Sequence, residues 1–384
     1  KRTHRTSNLS QKTKLFCVIV TLKANEGRKC SRLLPSSISV SWSLIHSNCP
    51  IPGKKFFAIF ASYGQEVGCT SGEVNMATFL YFDADCIAHD PGPGHPEQPA
   101  RLMAVRDALA VPEFADLKRQ TPPPATITQI TRVHPREHVE GLLQAVPSEG
   151  RVMIDADTFM SPGSGRAALL AAGAACAAVD AVIGGAATNA FCAVRPPGHH
   201  AETAQAMGFC LFNNVAIAAE HARQAHGLTR VAVVDFDVHH GNGTQHSFAH
   251  QEGLFFASSH QYPFYPGSGA ESETGGGNIH NAPLPAGAGS TEFRHAWSHQ
   301  LLPALRAFQP QLVIVSAGFD GHRDDPLAEF ALDDDDYAWI TDALLTVAAE
   351  TADGRLVSSL EGGYDLAALG RSAAAHVRRL MAVT

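Results

Sequence analysis

From residue 77 onward the chain alternates between short, nearly all-apolar runs and longer stretches whose apolar residues recur every three or four positions. The short runs fall at 77–82, 190–194, 231–234, 254–257, 312–315 and 356–360. Between them lie Leu102/Val105/Leu109, residues 172–183, Val215/Ala218/Ala222, Trp297/Leu301/Leu305/Phe308 and Trp339/Ile340/Ala343/Leu344/Val347. Successive side chains of an extended segment point to opposite faces, so a run that is apolar throughout must be covered on both sides, whereas helical spacing buries a single stripe. The alternation predicts an α/β fold, a parallel sheet wrapped by helices. A chain of 384 residues with 45% hydrophobic residues can supply the core this requires.

A sheet covered on both faces leaves its edges and loop ends for chemistry, and in open α/β sheets ligands bind beyond the carboxyl ends of the strands. Five predicted strands here run into polar sequence. Val194 is followed by Arg-Pro-Pro-Gly-His199-His200, and Val234 by Asp235-Phe-Asp237-Val-His239-His240-Gly-Asn242. Ala257 leads to Ser258-Ser259-His260, Val315 to Ser316-Ala-Gly-Phe-Asp320, and Leu360 to Glu361-Gly-Gly-Tyr364. No GxxxxGK[ST] phosphate loop is present, and the glycine-rich stretch 267–289 reads as a long loop flanking the site.

Residues two apart share a strand face, which puts Asp235, Asp237 and His239 together. Two carboxylates and an imidazole on a hydrophobic strand are costly to bury unless a cation neutralises them. Asp237 and His239, with Asp320 from another strand end, offer three metal ligands and leave a position open for water, as catalytic zinc sites do. The alternative is a buried Asp–His hydrogen bond without metal. His199-His200, presented by a rigid Pro-Pro-Gly turn, suits an acid and a base near neutral pH, with Asp235 and Asn242 placed to orient the two rings. Tyr364 could aim a phenol at a developing oxyanion, or simply pack in a turn.

Charge divides the chain. Residues 1–75 hold 11 Lys+Arg and 3 Asp+Glu, and residues 76–384 hold 18 and 34, so the body stands at −16. Such a field repels nucleic acid and attracts cationic ligands. Met76 is the first methionine, and beyond it alanine dominates and Lys118 is the sole lysine. Residues 1–75 are therefore expected to be a non-catalytic leader, either upstream sequence read through or an organelle transit segment, with 76–384 the catalytic domain. The eight cysteines show no CxxC spacing, which points to a reducing compartment. Apolar runs such as 15–20 and 56–61 fall well short of the roughly 20 residues of a spanning helix, so a soluble cytoplasmic protein is expected, with organelle import if the leader is a transit segment.

Six stretches together resemble the histone deacetylase family, in particular its class II and bacterial histone-deacetylase-like amidohydrolases. They are HPEQPARL (95–102), RPPGHHAE (195–202), MGFCLFNNVAIAA (207–219), VDFDVHHGNGTQ (234–245), SAGFDGHRDDPL (316–327) and LEGGYD (360–365). The resemblance implies the arginase/deacetylase sheet in a single catalytic domain, with Asp237, His239 and Asp320 as zinc ligands. It implies His200 as general base and then acid, His199 as its electrostatic partner, Tyr364 as carbonyl-polarising donor, Asp235 pairing with His199 and Asn242 with His200. Asparagine at 242 is the class II form of a position that is aspartate in class I. A structural potassium would sit on Asp235, the backbone carbonyls of Asp237 and His239, and Ser258 and Ser259. Phe209 and Tyr265 would wall the acyl tunnel, with Leu327 at its rim; Tyr265 replaces the phenylalanine of many relatives.

Zinc-dependent removal of acetyl groups from acetyl-lysine in proteins or peptides is the expected activity, with acetylpolyamine hydrolysis as the alternative. The expected partner is an acetylated protein, peptide or small amine, without direct nucleic-acid or membrane contact, and with homo-oligomer formation left open. A binuclear manganese ureohydrolase fits less well, because His240, Gly241 and Asn242 supply no bridging carboxylates after His239. A catalytically silent acetyl reader would be favoured by loss of a ligand or of the tyrosine, and all are present.

Overall fold

Eight parallel strands form the central sheet of the computed structural model, which describes residues 77–383 and two short earlier strands. The strands are β1 (Thr78–Tyr81), β2 (Lys118–Gln120), β3 (Asn189–Cys192), β4 (Val231–Asp235), β5 (Leu254–Gln261), β6 (Ile279–Leu284), β7 (Leu312–Ala317) and β8 (Leu356–Leu360). Their spatial order is β6-β5-β4-β7-β8-β3-β1-β2. Every residue of β3, β4, β5, β7 and β8 is buried, as their apolar runs demand, and the polar residues at their ends are buried with them. The earlier strands, Trp42–Ile45 and Ala58–Ala61, pair antiparallel within a separate unit spanning residues 1–72. The expected leader boundary at Met76 lies outside the described residues.

Helices flank the sheet in two groups. One contains α1 (Pro99–Ala108), α5 (Asp334–Thr351) and α6 (Leu366–Met381), which pack on one another. The other contains α2 (Ser164–Ile183), α3 (Asn214–His226) and the short α4 (Asn242–Phe248). Their ends follow local chemistry. The Asn213 side chain caps α3 by accepting from Ala216 N–H, and Gly227, at φ 71°, closes it. Asp333 and Asp365 cap α5 and α6 in the same way. Among the described residues only α2 is long and apolar enough to cross a membrane, and 67% of its most apolar window is buried inside the protein.

Two expectations need correction, and one strand went unread. The stretch 267–289 is not all loop, since β6 lies within it; His280, Asn281 and Pro283 mask the strand in the sequence. The edge strand β2 consists only of Lys-Arg-Gln, which carries no apolar signal. Ser258, Ser259 and His260 continue β5 rather than follow it. The register then aligns Ser359, Ser316, Asp235, Ser258 and Asn281 in one row across five neighbouring strands, a buried polar line near the carboxyl end of an apolar sheet.

Candidate active site

Asp235 is the last residue of β4, so Asp237 and His239 lie beyond the strand and not on its face as strand periodicity suggested. A relay of side-chain turns brings them together instead. Asp237 N–H donates to Asp235 Oδ1 at 3.1 Å, and His239 N–H donates to Asp237 Oδ1 at 2.9 Å. Asp320, past the end of β7, accepts from Val238 N–H at 2.9 Å, and Asp237 Oδ2 accepts from Gly362 N–H at 2.8 Å. Asp237, His239 and Asp320 are buried, and their ligand atoms lie within 4.8 Å of one another.

His239 Nδ1 faces Asp237 Oδ1 at 3.2 Å and Asp320 Oδ2 at 3.1 Å. Burial opposes charge on this imidazole, but hydrogen bonds and attraction to the two carboxylates override it and raise its pKa to about 10. A nitrogen held between two buried carboxylates needs a cation there, either a proton or a metal ion. The donor set, one imidazole and two carboxylates, is one that a borderline-soft divalent ion accepts.

His199 and His200 pack with ring centroids 4.0 Å apart. His199 Nδ1 donates to Asp235 Oδ2 at 3.0 Å. Burial disfavours its charge, yet the carboxylates of Asp237 and Asp235 hold its pKa well above the usual histidine value. His200 Nδ1 pairs with Asn242 Oδ1 at 2.8 Å. Burial, followed by the nearby His199 and His239, drives its pKa well below the usual value. Two adjacent imidazoles are thus pushed apart, one toward the cation and one toward the neutral base.

Tyr364 lies against Phe209, with ring centroids 5.9 Å apart, and under the Arg101 guanidinium at 4.7 Å. Burial raises the phenol pKa well above its usual value, so it remains a proton donor. Phe209 is held at φ 68°, an uncommon conformation for a bulky residue; its N–H donates to Thr158 Oγ1 at 3.0 Å. Tyr265 meets His200 edge-on at 5.1 Å and is partly exposed, while Leu327 N–H is anchored on Asp325 Oδ1 at 3.0 Å. Ser258 and Ser259 are buried, and their hydroxyls contact His260 Nδ1 and Trp297 Nε1, each at 2.9 Å.

Several contributors were not singled out from the sequence. Glu361 Oε2 accepts from Gly198 N–H at 2.6 Å and His199 N–H at 3.2 Å, fixing the histidine turn, and burial raises its pKa to about 7. Arg101 donates to the carbonyls of Gly363 and Glu361, bracing the loop that carries Tyr364. Asp325 Oδ2 accepts from Tyr364 N–H at 2.6 Å. Phe264 stacks on His239, with ring centroids 5.5 Å apart, while Tyr265 meets that ring edge-on at 6.1 Å. For Glu361 the available signal was a charged residue set between the apolar run 356–360 and two glycines; Arg101, in the polar stretch 95–102, carried no such signal.

Asp180, His221 and His226 also converge, with His221 buried beneath the other two. There both imidazoles bond to Asp180 Oδ1, at 2.7 and 2.6 Å, and Arg132 Nη1 faces His221 Nδ1. An arginine donor on Nδ1 leaves the proton on Nε2, so this group is satisfied as a hydrogen-bonded cluster.

A parallel sheet with buried carboxylates, paired histidines and a tyrosine at its carboxyl end defines a hydrolytic α/β enzyme. Residues 95–380 match the histone deacetylase domain. The chain is 39% identical over 310 residues to the histone deacetylase-like amidohydrolase of Pseudomonas aeruginosa, covering 75% of this chain and 81% of that protein. It is 38% identical over 319 residues to histone deacetylase 10, chloroplastic, of Oryza sativa subsp. japonica, covering 78% and 72%. The crystal structure of the HDA15 HD domain superposes with a TM-score of 0.76 at 36% identity, over 80% of this chain and 89% of that one. The chain belongs to the histone deacetylase family, and the expected fold class and deacetylase-type hydrolytic activity stand.

Proposed function

We propose that the protein hydrolyses the acetamide of acetyl-lysine in proteins or peptides, using one zinc ion held by Asp237, His239 and Asp320, and releases acetate and the free amine. The observation that carries this reading is the placement of His239 Nδ1 between two buried carboxylates, beside two histidines of which one is paired to the Asp235 carboxylate and the other to the Asn242 amide. Zinc at this position supplies a Lewis acid for the acetamide carbonyl and lowers the pKa of water.

The chain's own groups carry the protons. His200, hydrogen-bonded through Nδ1, has its Nε2 lone pair to take a proton from the attacking water. It returns that proton to the nitrogen as the C–N bond breaks. His199, paired to Asp235, supplies positive charge beside it, and the Tyr364 hydroxyl donates to the oxyanion that develops on the carbonyl oxygen. Phe209 and Tyr265 enclose the acyl-lysine stem, with Leu327 at the rim. Asp235 and Ser258, paired across β4 and β5, would hold a structural potassium together with Ser259 and the backbone carbonyls of Asp237 and His239.

Acetylpolyamines are the second substrate class, favoured by the body's charge of −16. Long-range attraction raises encounter rates, however, whereas selectivity follows local contact, and Leu327 offers no partner for a distant ammonium. The test is turnover of an acetyl-lysine peptide by enzyme reconstituted with zinc, beside Asp237→Ala and Asp320→Ala. Both variants should lose bound metal and activity together; full metal occupancy with normal turnover in either would overturn the ligand assignment.

A further inference from the structure

An asparagine amide has two nearly isosteric ends, one donating and one accepting, so Asn242 could meet His200 either way round. The choice matters. With Oδ1 toward the ring, His200 carries its proton on Nδ1 and keeps a lone pair on Nε2. With Nδ2 toward the ring, the proton moves to Nε2 and a neutral His200 can no longer act as a base there.

What holds the amide in one orientation is Glu202. Asn242 Nδ2 donates to Glu202 Oε1 at 2.8 Å and leans on Met207 Sδ at 3.4 Å. The other carboxylate oxygen, Oε2, contacts His246 Nδ1 at 2.7 Å, one turn along α4 from Asn242. Turning the amide over would set Oδ1 against Oε1, two acceptors with no proton between them. We propose that Glu202 is a positioning residue that locks the Asn242 amide and, through it, the Nδ1–H tautomer of His200. Residues 202 and 242 then form a coupled pair, in which a carboxylate at 202 requires an amide at 242. This rests on the reading of His200 as the base.

The coupling predicts a reversal of sign. In Glu202→Gln the new side chain accepts or donates equally well, so Asn242 loses its bias; kcat should fall on the order of 10- to 100-fold, part of what a general base contributes, with KM little changed. Asn242→Asp alone sets a second carboxylate against Oε1 and should also lower kcat. In Glu202→Gln/Asn242→Asp the amide and the carboxylate have exchanged places. One oxygen of the introduced carboxylate then accepts from His200 Nδ1–H and the other from the introduced amide, so kcat should recover above both single variants. The four forms are compared on one acetyl-lysine peptide at equal metal content and equal circular dichroism, with His200→Ala as a fifth. Wild-type kcat in Glu202→Gln, or single losses that simply add in the double variant, overturns the lock while an inactive His200→Ala leaves the base in place. Substantial turnover by His200→Ala overturns the base assignment itself, and this inference with it.

Discussion

Gly362→Ala probes the proposed metal centre without removing any of its proposed ligands. A Cβ at this position would stand 2.0 Å from Asp320 Oδ2 and 2.6 Å from Asp237 Oδ2. Ordinary van der Waals contact begins near 3.4 Å, so the Asp320 carboxylate would have to retreat by about 1.4 Å. Metal–ligand distances tolerate shifts of only about 0.2 Å, so a retreat of that size amounts to losing one of three protein ligands. The Gly362 N–H that donates to Asp237 Oδ2 survives the substitution, which isolates the added methyl as the cause. Zinc affinity, measured by chelator competition, should fall at least about 10²-fold, more than the roughly 10- to 100-fold typical of outer-shell changes. Activity should fall in step when zinc is limiting. Gly318→Ala, whose Cβ would stand 2.0 Å from Asp237 Oδ2, should behave alike. Wild-type zinc affinity and kcat/KM in a folded Gly362→Ala protein would refute the packing argument, because the carboxylates would then not be where a metal holds them.

Three further outcomes are expected. Tyr364→Phe should keep its zinc yet lose about 10²- to 10³-fold in kcat, the scale of one oxyanion donor; a change confined to KM would reduce Tyr364 to a pocket wall. The unmodified enzyme should show higher kcat/KM on acetyl-lysine peptides than on acetylated putrescine or spermidine at equal ionic strength. Leu327→Glu should move that ratio about two- to fivefold toward polyamines, the worth of one rim ion pair, and a polyamine preference in the unmodified enzyme would refute the substrate reading. Metal-free protein should lose stability as pH rises. The His239 pKa, about 10 folded against about 6.5 unfolded, means its stabilisation is complete below pH 6.5 or so and lost toward pH 10. Melting temperatures of metal-free and zinc-loaded protein from pH 7 to 10 should therefore diverge, and a flat metal-free profile would contradict this.

Much was legible along the chain because burial writes itself into composition. Runs such as 231–234 and 312–315 are apolar on both faces, so they announced β4 and β7, and the titratable residues just beyond them marked the end of the sheet where the site lies. Local spacing also brought Asp237 and His239 together, although the agent is a side-chain turn past Asp235 rather than strand alternation. What the linear sequence could not express is proximity between distant segments. β6 and β2 carry too few apolar residues to be read, because an edge strand needs only a neighbour's hydrogen bonds and not a core on both faces. The row Ser359, Ser316, Asp235, Ser258 and Asn281 exists only through the register of five strands. Glu202 is one more acidic residue in the sequence, and only the return of α4 beside the 195–202 turn places its carboxylate on the Asn242 amide. The physical reason is common to all three: hydrophobic periodicity is encoded locally, residue by residue, whereas the partner of a buried polar group is chosen by how the packed layers meet.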